Sequence, residues 1–371
     1  MKKNTIEEPK QKVEGRKPRR AGGKECTIGI DLGDRSSHYC VLDRDGEVVQ
    51  RGTVATTRKD LGRVFGKGAN RIAIEVGPVS PWVSRHLKFL GYEVIVANAR
   101  RTRLIAESNR KHDRLDCETL ARLARMDPKL LFPVRHRSEA AQADLAVIRT
   151  RAVLVEGRTR LINSARGQCK AFGHRLKNCD ARYVKADMAQ DLPDEMKRSM
   201  EPLLEEVEQL SARIQQYDRL IEEMARERYP EVKLLTAVNG VGTLTALTFM
   251  LSLDDPQRFG RSREVGAYLG MKPRLRQSSR SNPELGISKE GDVYLRKVLV
   301  QSAHVILGHN GVDSDLRRFG QKLAARGGKG AKKKARVAVA RKLAVLLHHL
   351  WVSGEVYEPL HSRPVPTQAA A

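Results

Sequence analysis

The chain has 371 residues and a formal net charge of +25, from 69 Lys and Arg against 44 Asp and Glu. An apolar content of 40% suffices for real cores and excludes a wholly disordered chain, while 5% aromatics is lean for a β-sandwich. A charge of this size calls for a polyanionic partner, nucleic acid before an anionic membrane.

Residues 1–24 are Lys, Arg, Gly and Pro without periodicity, which predicts a basic disordered tail; no apolar stretch of a secretory signal is present, so a cytoplasmic protein is expected. Residues 25–137 read as an α/β domain. Its first run, Cys26 to Asp31, is apolar and ends in an acid. HYCVLD and EVVQRGTV flank Arg44-Asp45-Gly46, a hairpin signal, so three antiparallel strands are expected. RIAIE (71–75) is a further strand, Pro81 to Leu90 a helix, YEVIVA (92–97) a strand and 102–125 a helix. Alternating helices and strands after a meander make a layered α/β fold.

Residues 138–230 read as a long helical, coiled-coil-like segment. Leu145, Ile148, Ala152, Val155, Thr159 and Ile162 recur at spacings of 3 and 4, as do Leu203, Val207, Leu210, Ile214, Tyr217, Ile221 and Met224. Gly173, Asp191, Pro193 and Asp194 mark 172–195 as the link between two helices. Such a seam fits an intramolecular hairpin or a coiled coil between two chains. Residues 231–352 read as a mainly α domain and 353–371 as a mobile tail. Leu234 to Leu253 is uncharged, but Asn239, two glycines, four threonines and a serine make it too polar to span a membrane. It reads as a buried helix–turn–helix around Asn239-Gly240-Val241-Gly242. The five cysteines, Cys26, Cys40, Cys117, Cys169 and Cys179, show no CxxC pair and no metal-ligand spacing, which fits reduced thiols.

Four acids are candidates for chemistry. Asp31 and Glu75 end predicted strands, and Asp113 and Asp116 in KHDRLD share one helix face at i and i+3. Singly, each is weak: a strand-end Asp is more often a cap and a helical DxxD a solvated face. Four converging carboxylates would repel and raise one another's pKa unless divalent cations sat among them, and oxygen donors at that density suit Mg²⁺ or Mn²⁺. Two such ions about 4 Å apart serve phosphoryl transfer, which the basic composition independently suggests.

These residues reach a family. IGIDLGDRSSHYCVLDRDGEVV, IAIEVGP and KHDRLDCETLARLAR resemble the N-terminal domain of the insertion-sequence-110 family of DEDD transposases. LLTAVNGVGTLTALTFMLSLDDPQRFGRSREVGAYLGMKP, RQSSRSNPELGISKEGDVYLRKVLVQSAHVIL and VAVARKLAVLLHHLWVSGEVY resemble that family's second domain, in the right order. The resemblance implies an RNase-H-like domain related to the Holliday-junction resolvase RuvC, with Asp31, Glu75, Asp113 and Asp116 as the metal-holding D-E-D-D set. It implies a nucleophilic serine at Ser278; Ser279 stands where the family usually has Gly and is the alternative position. A composite site of acids and serine, a phosphoserine–DNA ester, and strand exchange without ATP follow. So do partners: double-stranded DNA of element ends and target, an element-encoded structured guide RNA, and a homo-oligomer, dimeric through the helices and tetrameric on two DNAs. Localisation would be cytoplasmic, at the nucleoid when DNA is bound.

Arg274, Arg276, Arg280, Lys289 and Arg296 surround the serine in sequence and are candidates to neutralise phosphates. Arg149, Arg151, Arg158 and Arg160 on the first long helix, and Lys329 with Lys332 to Lys334, are further basic candidates. Gly240-Val241-Gly242 resembles a helix–hairpin–helix turn offering N–H groups to a phosphate, or serves as a plain packing turn. Three other functions compete. An actin-like ATP-binding enzyme would share GIDLG, but lacks a second glycine-rich phosphate loop here and leaves KHDRLD unexplained. A junction nuclease using water would need the four acids but not Ser278. A non-catalytic nucleic-acid-binding protein would need neither.

Overall fold

The computed structural model describes residues 26–68, 70–98, 113–274, 276 and 285–361, with the side chains of 113–115 outside that set. The chain divides into two compact units, residues 1–136 and 137–371.

In the first unit β1 (Thr27–Asp31), β2 (Ser36–Leu42) and β3 (Val48–Ala55) form an antiparallel meander. Its second turn is built as the sequence suggests. The Asp43 carboxylate accepts the amides of Asp45 and Glu47, both at 2.9 Å, and Gly46 takes φ 86°. β4 (Arg71–Glu75) and β5 (Glu93–Ala97) add in parallel beyond β1, giving the order β3-β2-β1-β4-β5. The helices are α1 (Arg58–Phe65), α2 (Ser80–Phe89) and α3 (Asp113–Met126). Residues 99–112, which include the start of the expected 102–125 helix, lie outside the described residues. The sequence reading lacks α1, although its start is a capping pair: the Thr57 hydroxyl accepts the Asp60 N–H at 3.1 Å and donates to the Asp60 carboxylate at 2.7 Å.

Strand alternation sends side chains to two covered faces. Ile28, Ile30, Ile72 and Ile74 pack with Leu61 and Phe65 of α1 and Val83 and Leu87 of α2. On the opposite face Ala73 packs with Leu120 and Ala124 of α3. Gly29 belongs to this second face: a Cβ there would stand 1.9 Å from the Cys117 carbonyl oxygen and 2.7 Å from the Ala121 nitrogen. α3 therefore lies directly on the central strand because residue 29 has no side chain.

In the second unit α4 (Glu139–Ala171) and α5 (Asp194–Arg228) pack along one another as a hairpin within one chain. α6 (Val232–Thr236), α7 (Thr243–Leu253), α8 (Arg263–Tyr268), α9 (Val293–Leu307), α10 (Asp315–Ala325) and α11 (Ala331–Ser353) follow. The ends of the hairpin belong to two different cores. Ala141, Leu145, Ile148, Ile221 and Met224 join α7, α9 and α11 in the main core. Ile162, Cys169, Met196, Met200, Leu204 and Val207 form a second core at the far end.

Between those cores the hairpin seam is polar: Arg151 Nε donates to Asp218 at 2.5 Å, and Arg158 Nη1 donates to the Ser211 hydroxyl at 3.2 Å. This shifts the expected seam. Val207, Ile214, Ile221 and Met224 are buried as predicted, but Leu203, Leu210 and Tyr217 are only half-buried and Leu204 and Ser211 take the centre. Thr159 is exposed, and Arg158 turns inward instead. The buried Ser211 is satisfied, because its hydroxyl also donates to the Val207 carbonyl at 2.9 Å.

The uncharged 234–253 stretch forms α6, a turn and α7, with Thr245 to Leu253 all buried. The buried Thr248 hydroxyl is paired within the helix, donating to the Leu244 carbonyl at 2.5 Å, and the Thr245 hydroxyl accepts from Ser302 at 3.4 Å, while the buried Ser252 hydroxyl has no hydrogen-bond partner among the described residues. Among the described residues no helix is long and apolar enough to cross a membrane. Gly240 has φ 85°, and a Cβ there would stand 3.0 Å from Ile306 and 3.1 Å from the Ser302 carbonyl, so this turn is packed against α9.

Candidate active site

β1 and β4 run parallel with Ile30 opposite Ile74, so Asp31 and Glu75 follow at the same level on neighbouring strands. Such strands are about 4.8 Å apart. Asp31 shares the face of Gly29 and Glu75 that of Ala73, because alternate residues point the same way. That is the face α3 covers. α3 runs against the strands: Arg71 Nη1, at the start of β4, donates to the Ala124 carbonyl near the helix end at 3.0 Å, while Cys117 lies over Gly29. Its first turn, which carries Asp113 and Asp116, is thereby brought to the strand ends where Asp31 and Glu75 stand.

Asp31, Glu75 and Asp116 are all half-buried, and each already interacts with a group of the chain. The Cys117 thiol reports the closeness: burial first, then Cys40, then the Asp31 charge push it up to about 12. It is an inert packing thiol beside the acids. Among the described residues no three carboxylate, His or Cys side chains are grouped tightly enough to grip one ion. The Asp113 side chain lies outside that set. As a donor set, carboxylate oxygens at one sheet end fit a hard divalent cation.

In the second unit, Ser278, Ser279 and Arg280 lie outside the described residues. The chain on either side of them is pinned by a short ladder. Arg274 N–H donates to the Gly286 carbonyl at 3.0 Å, Ser288 N–H to Lys272 at 2.9 Å and Lys289 N–H to Gly270 at 3.0 Å. Glycine is required at 270 and 291, which take φ 67° and 76°; a Cβ at Gly270 would stand 2.1 Å from the Glu290 oxygen and one at Gly291 2.4 Å from the Tyr268 oxygen. Arg274, Arg276 and Lys289 are exposed. Arg296 is spent differently. Its half-buried guanidinium donates to the carbonyls of Leu269 and Glu290, binding the two sides of the ladder. Burial lowers its pKa from the usual value.

The basic residues of α4 also have internal partners. Arg149 and Arg137 both donate to Asp292, whose carboxylate caps α9 by accepting the Leu295 N–H at 2.9 Å. Arg149 stacks over Tyr294, 5.4 Å from the ring centre. Arg151 and Arg158 are held in the hairpin seam, while Arg160 is exposed. The Asp292 node is absent from the sequence reading; the only local signal is an Asp three residues before Leu295 at a helix start.

The chain thus joins an acid-bearing mixed sheet to a helical unit in which exposed basic residues flank a hydrogen-bonded ladder. A family model described as Transposase matches residues 28–172, and one described as the Transposase IS116/IS110/IS902 family matches 232–318. The chain is 28% identical over 350 residues to the transposase for insertion sequence element IS1111A of Coxiella burnetii, covering 92% of this chain and 94% of that protein. It is 29% identical over 284 residues to the transposase for insertion sequence element IS1328 of Yersinia enterocolitica, covering 76% and 83%. A probable family 20 transposase of Pseudomonas aeruginosa is also 29% identical, over 289 residues. The chain belongs to the insertion-sequence-110 family of DEDD transposases, enzymes that cut and rejoin DNA.

Proposed function

We propose that the protein is an insertion-sequence transposase that cleaves and exchanges DNA strands through a Ser278–DNA ester, with Asp31, Glu75, Asp113 and Asp116 holding Mg²⁺ or Mn²⁺. The observation that carries this reading is the delivery of Asp31, Glu75 and the first turn of α3 to one end of the sheet. The strand order β3-β2-β1-β4-β5, with a meander on one side of β1 and parallel strands on the other, supports an RNase-H-like assignment for the first unit. When bound, a divalent cation neutralises charge on a scissile phosphate and favours deprotonation of a nearby hydroxyl. The four carboxylates position it.

Ser278 Oγ bonds to phosphorus as the bond from phosphorus to the sugar oxygen breaks. The serine gives up a proton and the departing sugar oxygen takes one. The number of phosphate ester bonds is unchanged, so religation needs no nucleotide hydrolysis. Arg274, Arg276, Arg280 and Lys289 neutralise flanking phosphates, and Arg296 keeps their ladder closed. The +25 charge leaves room for a structured guide RNA beside the DNA. The α4–α5 hairpin is the expected route to a dimer, with a tetramer on two DNAs; a monomer by sizing with and without DNA would refute that assembly.

The test is covalent trapping. Purified protein with its co-purified RNA is incubated with labelled DNA carrying the element ends and Mg²⁺, then denatured. An adduct lost in Ser278→Ala and Asp113→Asn but kept in Ser279→Ala is expected. Cut DNA without an adduct would replace the serine reading with a water-using nuclease.

A further inference from the structure

The far tip of the α4–α5 hairpin, residues 170–185, has a surface that hairpin packing does not explain. It carries Lys170, Arg175, Lys177, Arg182 and Lys185 against a single acid, Asp180. Two aromatic side chains project among them: Phe172 is 67% exposed and Tyr183 59% exposed. The chain has only 7 Phe, 8 Tyr and 2 Trp. Placing two of them in solvent beside cations discards burial that each would gain in a core.

Both rings stand on rigid backbone. α4 ends in a Schellman turn: Gly173 N–H donates to the Lys170 carbonyl at 3.1 Å and His174 N–H to Cys169 at 2.8 Å, with Gly173 at φ 80°. Phe172 is the residue this turn holds. Tyr183 closes a 3-10 turn (Ala181–Tyr183) capped by Asp180, which accepts the Arg182 N–H at 3.2 Å. The Arg182 guanidinium lies over the Tyr183 ring, 5.4 Å from its centre. Beneath the tip, Val184 is buried in the far core and Arg166 donates to the Cys179 carbonyl at 3.2 Å. The tip is thus anchored from below, with its rings and cations facing out.

Pre-ordered exposed rings among cations match one ligand chemistry. Unpaired bases offer flat faces that stack on aromatic rings and on arginine, and their backbone offers a phosphate per nucleotide. A duplex hides its base faces and would engage the cations only. We propose that the hairpin tip binds an unpaired, single-stranded stretch of nucleic acid, with Phe172 and Tyr183 stacking on bases and Lys170, Arg175, Lys177 and Lys185 neutralising phosphates. The inference rests on the transposase reading only in taking nucleic acid as the polyanion at hand.

The test is binding of the full chain, without any cleavage step, so its failure is distinct from failure of the serine mechanism. Fluorescence anisotropy in EDTA is measured with labelled uridine RNA and thymidine DNA of about a dozen nucleotides, and with a duplex of equal length. F172A/Y183A is expected to weaken single-strand binding about fivefold or more and leave duplex binding unchanged. F172W/Y183F should restore it, because rings remain. K170A/R175A/K177A should lower the salt slope for single strands by about 0.7 for each phosphate no longer neutralised. The tighter of the RNA and DNA arms names the strand. Unchanged single-strand affinity in F172A/Y183A, equal weakening for duplex and single strand, or loss of a dimer by sizing with unchanged affinity would each overturn the proposal. The melting temperature of F172A/Y183A should match the parent, since both rings lie outside the cores.

Discussion

The two units hold their candidate chemistry in opposite ways. In the α/β unit the acids stand at strand ends, where pairing of β1 with β4 and the weight of α3 set their positions. In the helical unit the serine segment is reached only through a pinned ladder, closed by Arg296 and two positive-φ glycines. A site built on sheet register shares its stability with the domain core. One held by a ladder at its flanks can lose geometry while its domain stays folded.

The largest effect should come from forcing a side chain under α3. Gly29→Val is expected to cost about 3 kcal/mol or more and to unfold the first unit, because the atoms in its way are backbone. Thermal melting reads this, with Gly77→Ala as control: nothing lies within 4 Å of a Cβ there, and a change under about 0.5 kcal/mol is expected. If both variants melt alike, the close seating of α3 is wrong. Next is Asp292→Ala, expected to cost about 2–3 kcal/mol in urea unfolding. It uncaps α9 and strands Arg137 and Arg149. Asp292→Asn should recover part of the loss by keeping the cap.

Gly270→Ala separates the two kinds of site. It should lower stability by only about 1–2 kcal/mol yet reduce the trapped DNA adduct about tenfold or more. A proportionate loss of fold and adduct would erase the contrast between the units. The smallest effect belongs to Tyr229, whose hydroxyl donates to the Asp144 carboxylate at 2.5 Å. Burial, then that hydrogen bond, push it up to about 12. Its unfolded value is about 10, so the folded chain holds the proton more tightly. The contribution is whole below about pH 10 and is lost as pH rises toward about 12. Tyr229→Phe should cost about 1 kcal/mol at neutral pH and flatten that alkaline decline in a stability–pH series.

Much of the α/β unit was legible because short apolar runs bounded by turn residues have few alternatives. All five strands lie where CTIGID, HYCVLD, EVVQRGTV, RIAIE and YEVIVA place them, to within two residues. α1 was missed, although Thr57 and Asp60 mark its start, since eight residues give weak periodicity. The hairpin was legible as two helices but not in its seam. Leu203, Leu210 and Tyr217 compete with Leu204 and Ser211 for the same face, and a serine wins once Arg158 supplies its partner. Of the four α4 arginines named as basic candidates, Arg149, Arg151 and Arg158 are tied to Asp292, Asp218 and Ser211, partners distant in sequence, while Arg160 is exposed.

By itself the sequence determined the element types, the basic character and the family motifs, because periodicity, turn residues and charge are local properties. Tertiary structure decided which charges are spent inside, which helix face is buried, and that α3 runs against β1 to bring Asp116 to the strand ends. Those outcomes depend on pairings across tens to hundreds of residues. A local pattern carries no information about which distant donor or backbone oxygen will stand opposite.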